Sequence, residues 1–349
     1  MPRLKPEPIV NQGTANQMFA PFRMAVVLAA FLMPASLSAQ CAGQNLLDAM
    51  PSDAFAALEA GSETHPYATG NRFVATKGES TIHFVGTLHV YDARMKEPLE
   101  RLRAVIALSD AVYVEATEAE QAQLKSEIAK RPDLIFATEG ATLPERLGQA
   151  DWTLLSGELA ARGMPAVLAS KLRPWYATAV LGVPPCAIKE LGGQANGLDK
   201  LIMDAAAEAR VPVHALEPYD AAIRVFTDMD DADQLDILRS SLPLLGEAEN
   251  VYETLIESYF AEKNRLFWEY TRERSVAESP DDPETAAADF ARMENALLIR
   301  RNYSWIDPIL KAAEGREIIV AVGAAHLSGI NGILALVEEQ GYRIDRESF

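Results

Sequence analysis

Apolar positions along the chain fall into two recurring forms. Short runs rich in β-branched residues read as strands: Asn71 to Thr76, Ser80 to Val85 (STIHFV), Ala111 to Glu115 (AVYVE), Val211 to Leu216 (VPVHAL), Ile318 to Val322 (IIVAV) and a closing YRIDR. Between them, leucines and alanines recur at helical spacing with Glu, Lys and Arg on the opposite face. These stretches cover 46–60, 97–109, most of 117–180, 198–209, most of 232–275, a segment ending near Arg301-Asn302, and 333–340. Pro132, Gly140 and Pro165 interrupt the long helical region, and the polar ESPDDPE segment (278–284) reads as a surface loop. Helices alternating with short, nearly continuous apolar strands predict an α/β fold. The expected core is a mixed, largely parallel sheet flanked by helices, with a helical insertion. No shift in composition marks a boundary, so residues 40–349 read as a single domain.

The first 39 residues have a different pattern. Met24 to Met33 (MAVVLAAFLM) is an unbroken apolar run, preceded by Arg23 and followed by Pro34 and small residues. That is the tripartite form of a secretory signal peptide, too short for a membrane span of about 20 residues. Translation starting at Met18 would give this signal a shorter n-region. The expected address is therefore periplasmic or secreted, with no stable membrane span after cleavage.

Composition narrows the picture further. The chain of 349 residues holds 50 acidic and 32 basic side chains, a net charge of -18. The acidic balance excludes a nucleic-acid partner, whose phosphates require a basic surface. Two cysteines and five histidines are too few for a disulfide scaffold or a multi-finger zinc protein. In an exported chain, however, Cys41 and Cys186 are placed to form one disulfide, with free buried thiols as the alternative.

The candidate chemistry sits at strand ends. The strand-like run to Val85 leads into Gly86-Thr-Leu-His89, and the run to Val322 leads into Gly323-Ala-Ala-His326. Each is an apolar strand, then Gly-x-x-His, then a helical stretch. Both histidines are thereby presented at a strand's carboxyl end, where open α/β sheets place ligands. Three carboxylates stand in similar places: Glu115 (VYVEATE), Glu217 (VHALEP) and Asp199 at a helix start (GLD). A carboxylate that ends an apolar run needs a partner if it is buried. Imidazole and carboxylate together suit Zn²⁺, Mn²⁺ or Co²⁺, which would polarise a carbonyl and acidify a bound water.

Blander readings stand beside these. Asp199 suits a helix N-cap, Glu217 suits the solvated end of a strand, and Arg301 suits a helix C-terminus. His214, three residues before Glu217, either lines the site or is a buried, hydrogen-bonded histidine. Trp175-Tyr176 reads as packing rather than as a lid. The chain carries no Gly-x-Ser-x-Gly, HExxH or GxxxxGK[ST] motif. Two imidazoles more than about 10 Å apart could not share one ion, because Zn–N bonds are about 2 Å.

At these residues the sequence resembles the TraB/GumN family, whose eukaryotic relatives include the Tiki proteases. The resemblance runs from about Asn71 to the C-terminus. It rests on Gly86-Thr-Leu-His89, Glu115, Lys171-Leu-Arg-Pro-Trp175, Gly197-Leu-Asp199, Leu216-Glu217, Arg301-Asn302 and Gly323-Ala-Ala-His326-Leu, with Gly329 and Gly332. It implies an α/β core of the erythromycin-esterase and ChaN-like kind, in which two Gly-x-x-His elements and a glutamate form a metal-dependent site. Carried over, His89, His326 and Glu115 are the expected metal ligands. Glu115, Arg301 and Glu217 are the expected catalytic groups, supported by Asp199 and His214. The expected function is a metal-dependent hydrolase, most readily a peptidase, using Mn, Co or Zn on a peptide or small-molecule substrate. The alternatives are a haem- or metal-binding envelope protein without turnover, and a non-catalytic scaffold with a vestigial site.

Overall fold

The computed structural model describes residues 41–190, 197–279 and 281–349. The apolar run Met24–Met33 and the alternative start Met18 lie outside the described residues. Six strands form one sheet: β1 Arg72–Lys77, β2 Ser80–Thr87, β3 Ala111–Val114, β4 Val213–Ala215, β5 Glu317–Gly323 and β6 Arg343–Arg346. Their order is β4-β3-β5-β2-β1-β6. The strands β4, β3, β5 and β2 run parallel, whereas β1 pairs antiparallel with both β2 and β6. This is the mixed, largely parallel sheet that the pattern predicts.

The apolar runs are continuous because the sheet is covered on both faces. In β5, Ile318, Val320 and Val322 pack on one side with Trp305, Ile309, Leu334 and Val337. Ile319 and Ala321 alternate to the other side, with Leu102, Ile106, Ile202 and Ala206. The first side is covered by α9 (Arg300–Ala313) and α10 (Ile333–Glu339), the second by α2 (Lys96–Leu108) and α5 (Leu198–Ala209). His83, on the second side, is buried and reaches Glu317, with Nε2 2.9 Å from Oε1.

The helical insertion builds a core of its own from Leu143, Leu155, Leu159, Leu172, Leu181 and Leu238. It includes α3 (Pro174–Leu181) and α4 (Pro185–Glu190). Trp175 is packed there, stacked on Phe226 with ring centroids 5.6 Å apart. Cys41 and Cys186 form a disulfide that closes 145 residues of chain. It is compatible with export. Among the described residues no helix is long and apolar enough to cross a membrane.

Two expected boundaries move. The first helix, α1, spans Ser52–Glu63, not 46–60, because Pro51 suits the position just before a helix and cannot donate inside one. More consequentially, Arg301 and Asn302 do not end a helix. The helix α8 (Pro283–Glu294) runs through a π-helical turn, Asn295–Ile299, directly into α9. No glycine or proline stands between Glu284 and Asp307, so the helix continues through this region, and Pro308 falls well inside α9. Its π turn, a feature that recurs at functional sites, places Arg301 and Asn302 in the first turn of α9.

Candidate active site

Four neighbouring parallel strands deliver the polar residues to one edge of the sheet. β2 leads to His89, β5 to His326, β3 to Glu115 and β4 to Glu217. The pairing of β2 with β5 sets Thr87 opposite Gly323, so the two Gly-x-x-His elements lie side by side, one residue out of step. They are not identical: Gly86 is still inside β2, whereas Gly323 ends β5 and His326 lies in the 3-10 turn that follows. A Cβ on Gly323 would lie 3.3 Å from Glu115 Oε1, 3.6 Å from His326 Cδ2 and 3.8 Å from His89 Nε2. The two imidazoles are therefore within about 7.4 Å of each other, the sum of the last two distances. The glycine leaves open the space on which all three side chains converge.

Each histidine is held by its other ring nitrogen. His326 is buried, and its Nδ1 lies 2.7 Å from Asn302 Oδ1. The Asn302 amide nitrogen donates to the carbonyls of Asn331 (2.8 Å) and His326 (3.4 Å), which fixes the amide's orientation. Nδ1 of His326 therefore carries the proton, and the Nε2 lone pair faces the cavity, 3.9 Å from Glu115 Oε1. His89 Nδ1 lies 3.5 Å from Asp199 Oδ2, which leaves Nε2 toward Gly323.

Asp199 does not cap its helix. Gly197 is the N-cap of α5, and the Asp199 side chain turns to His89 instead. Leu198 N donates to Leu88 O at 3.0 Å, pressing the start of α5 onto the His89 loop. A Cβ at position 197 would fall 2.1 Å from Leu88 O, so only glycine permits this approach.

Arg301 organises the carboxylates. Its Nη2 donates to Glu115 Oε2 at 2.7 Å and to Glu217 Oε2 at 2.9 Å, and its Nε donates to Glu217 Oε1 at 2.7 Å. Its Nη1 reaches Leu297 O at 3.1 Å and His326 Nε2 at 3.3 Å. All five guanidinium N–H groups thus have acceptors. Glu217, 8% exposed, is not a solvated strand end: Trp305 Nε1 also donates to it at 3.0 Å. Glu115 Oε1 accepts from Gly323 N at 2.7 Å.

The electrostatics follow from this packing. Burial alone would raise the Glu115 carboxyl, but the two imidazoles, Arg301 and the Gly323 N–H hold it down to about 2. Burial pushes His326 down to about 4, with Arg301 acting in the same direction against Glu115. Burial also opposes charge on His89, yet its partner Asp199 and the nearby Glu115 raise it above the ordinary histidine range. The His89 ring reaches solvent at the cavity mouth.

The cavity has a volume of about 240 Å³. His89, Glu115, Arg301 and His326 supply its charged wall, and Leu88, Leu255 and Leu298, with Phe267 and Trp268 of α7 (Asn264–Ala277), supply much of the remainder. A smaller cavity of about 100 Å³ touches His89, Glu115 and Asp199 from another side. Thr87 Oγ1 and Asp199 Oδ1 are buried there without a hydrogen-bond partner. Such atoms call for water or a bound group.

The structure thus brings together His89, His326, Glu115, Asp199, Glu217 and Arg301. It leaves His214 apart: that ring is exposed on the edge strand β4, against Tyr113 at 5.2 Å between centroids. The sequence reading missed the roles of Asn302 and Trp305. A signal for Asn302 was present, because Asn302, Trp305, Ile306 and Ile309 fall on one buried helical face, where a lone polar residue requires a partner.

A largely parallel α/β sheet with a histidine- and carboxylate-lined cavity at its carboxyl edge defines the class to which this fold and site belong. The chain belongs to the TraB/PrgY/gumN family, whose sequence model matches residues 72–346. No curated protein matches the chain.

Proposed function

We propose that this cavity is the active site of an exported, metal-dependent hydrolase, with peptides as its substrates. One observation carries the reading: His89 and His326 each have Nδ1 tied to a polar partner while their Nε2 edges converge with Glu115 on Gly323. Protein histidines that bind metals are oriented in this way, by a hydrogen bond at the second nitrogen. Two imidazoles and one carboxylate suit Mn²⁺, Co²⁺ or Zn²⁺ in donor type. Among the described residues no three His, Cys, Asp or Glu side chains already stand at ligating distance, so the fit is one of donor type and direction.

A bound divalent metal would supply Lewis acidity toward a carbonyl and a more acidic water. The chain's own residues have the remaining roles. Asn302 keeps the His326 lone pair directed at the cavity, where a metal would displace the Arg301 Nη1–H that meets it at 3.3 Å. Arg301, with its other four N–H groups held by Glu115, Glu217 and Leu297 O, acts as a positioning residue that keeps Glu115 ionised and backed by Glu217. Asp199 orients His89 by facing its Nδ1, which leaves Nε2 as the nitrogen available to a metal. The apolar part of the wall lowers the local dielectric and strengthens each of these interactions.

The test is metal content together with peptide turnover in protein purified from the cell envelope. We expect about one Mn²⁺ or Co²⁺ bound per chain, metal-stimulated cleavage of a mixed peptide pool, and loss of both in the double variant H89A/H326A. Cleavage indifferent to metal, or unchanged in the double variant, would overturn the reading.

A further inference from the structure

Leu255 lines two cavities. One is the active-site cavity; the other is a groove of about 230 Å³ between α3 and α6 (Ala248–Phe260), walled by Thr178, Leu181, Leu245 and Val251. The groove is largely apolar and continues the wall formed by Phe267 and Trp268. On its other side, the active-site cavity shares Leu298 and Ala325 with a pocket of about 220 Å³. That pocket is charged, with Arg265, Glu269, Arg272 and Glu294 in its lining. The surface through the site therefore has a direction: apolar on the α6 side and charged on the other.

The apolar arm is braced from both sides. Residues after Cys41 run along α6, where Gln44 N donates to Asn250 Oδ1 (2.8 Å) and Leu46 N to Thr254 Oγ1 (2.8 Å). Cys186 lies in α4, just beyond α3. The Cys41–Cys186 disulfide consequently ties the segment packed behind one wall of the groove to the helix that follows the other.

We infer that the groove between α3 and α6 is a specificity arm, which takes large apolar side chains of an extended peptide whose scissile bond lies at the Gly323 edge. The inference rests on the proposed hydrolase reading for the position of that bond. Its occupant follows from continuity: any extended chain leaving the active-site cavity past Leu255 meets apolar surface. Each large apolar side chain moved from water into such a groove favours binding by about tenfold or more, whereas a charged residue there would lose its hydration. Residues on the other side of the scissile bond meet the charged pocket instead.

The test measures binding separately from turnover. Fluorescently labelled, end-capped hexapeptides with a central Gly-Gly are compared by anisotropy. One peptide carries Leu-Phe before the glycines, a second carries Leu-Phe after them, and a third has only Ser and Glu. At least one apolar peptide should bind ten or more times tighter than the third. L255E and G182F should each erase that preference while retaining the wild-type melting temperature within a few degrees. Gly182 lines the groove with a φ of -61°, and a Cβ there meets nothing closer than 3.4 Å, so the backbone accommodates a phenylalanine at the groove's wall.

Equal binding of all three peptides, or a preference that survives both substitutions, would overturn the inference. The double variant H89A/H326A separates it from the hydrolase reading. If that reading fails, the apolar preference still appears in wild type and in H89A/H326A. If only the groove inference fails, metal-dependent cleavage persists without apolar preference.

Discussion

Asn302 Oδ1 lies 2.7 Å from His326 Nδ1, and this contact decides which nitrogen of a buried imidazole faces the cavity. Asn302 is itself 2% exposed and is fixed by two backbone carbonyls. Replacing it with leucine removes the acceptor and strands His326 Nδ1–H. We expect N302L to lower Mn²⁺ affinity by 10- to 100-fold, the usual effect of losing an outer-shell partner. Isothermal titration of the metal-free protein checks this; unchanged affinity would show that the ring orientation is set elsewhere.

The Gly197 contact makes a steric prediction. A methyl group at this position meets Leu88 O and His89 backbone atoms at 2.1–2.6 Å, none of which belongs to a flexible side chain. G197A should cost about 1–3 kcal/mol, the range for overpacking a tight site, read from urea unfolding. Because α5 must move away from the His89 loop, the Asp199–His89 contact should also loosen, and the His89 titration followed by NMR should shift back toward the ordinary histidine value.

The site also predicts an acid response. His326 is held neutral, with its pKa lowered from 6.5 to about 4, so its contribution to stability is present above pH 6.5 and is lost as pH falls toward 4. Glu115, lowered from 4.5 to about 2, stays ionised in the folded protein through that window, and its contribution is lost as pH falls from 4.5 toward 2, mostly below the window. Metal-free protein should therefore lose on the order of 3 kcal/mol of stability between pH 6.5 and 4 through His326 alone. H326Q should flatten that part of the profile in urea titrations at successive pH values. A wild-type curve already flat there would contradict a neutral, buried His326.

The disulfide gives a fourth prediction. It closes 145 residues, so in the chain-entropy account it is worth up to about 5 kcal/mol. Dithiothreitol should lower the melting temperature of wild type by many degrees and leave that of C41S/C186S unchanged. Equal melting of reduced and oxidised wild type would show that the N-terminal segment is held by its contacts to α6 alone.

Much of the site was legible because strand patterns are local. An apolar run that ends in Gly-x-x-His or in a glutamate announces a strand terminus, and parallel strands point their termini the same way. That places His89, His326, Glu115 and Glu217 from sequence alone. Arg301 and Asn302 read in sequence as the end of a helix, because a helix continuing through a π turn leaves no local mark of its continuation. Asp199 suits capping equally well in sequence, since an acidic residue near a helix start looks the same whether it faces backbone N–H groups or a distant imidazole.

By itself, then, the sequence determined the class of fold, the strands and the residue types that meet at their ends, because continuous apolar runs and terminal carboxylates are properties of neighbouring residues. Tertiary structure decided the rest. Strand order set β5 between β2 and β3, which brought His89, His326 and Glu115 around one glycine. Packing of α9 against the sheet engaged all five Arg301 donors and fixed the His326 proton, and packing of α3 beside α6 opened an apolar path past Leu255. These relationships join residues from tens to more than two hundred positions apart, and their energies depend on burial and angle that no local pattern encodes.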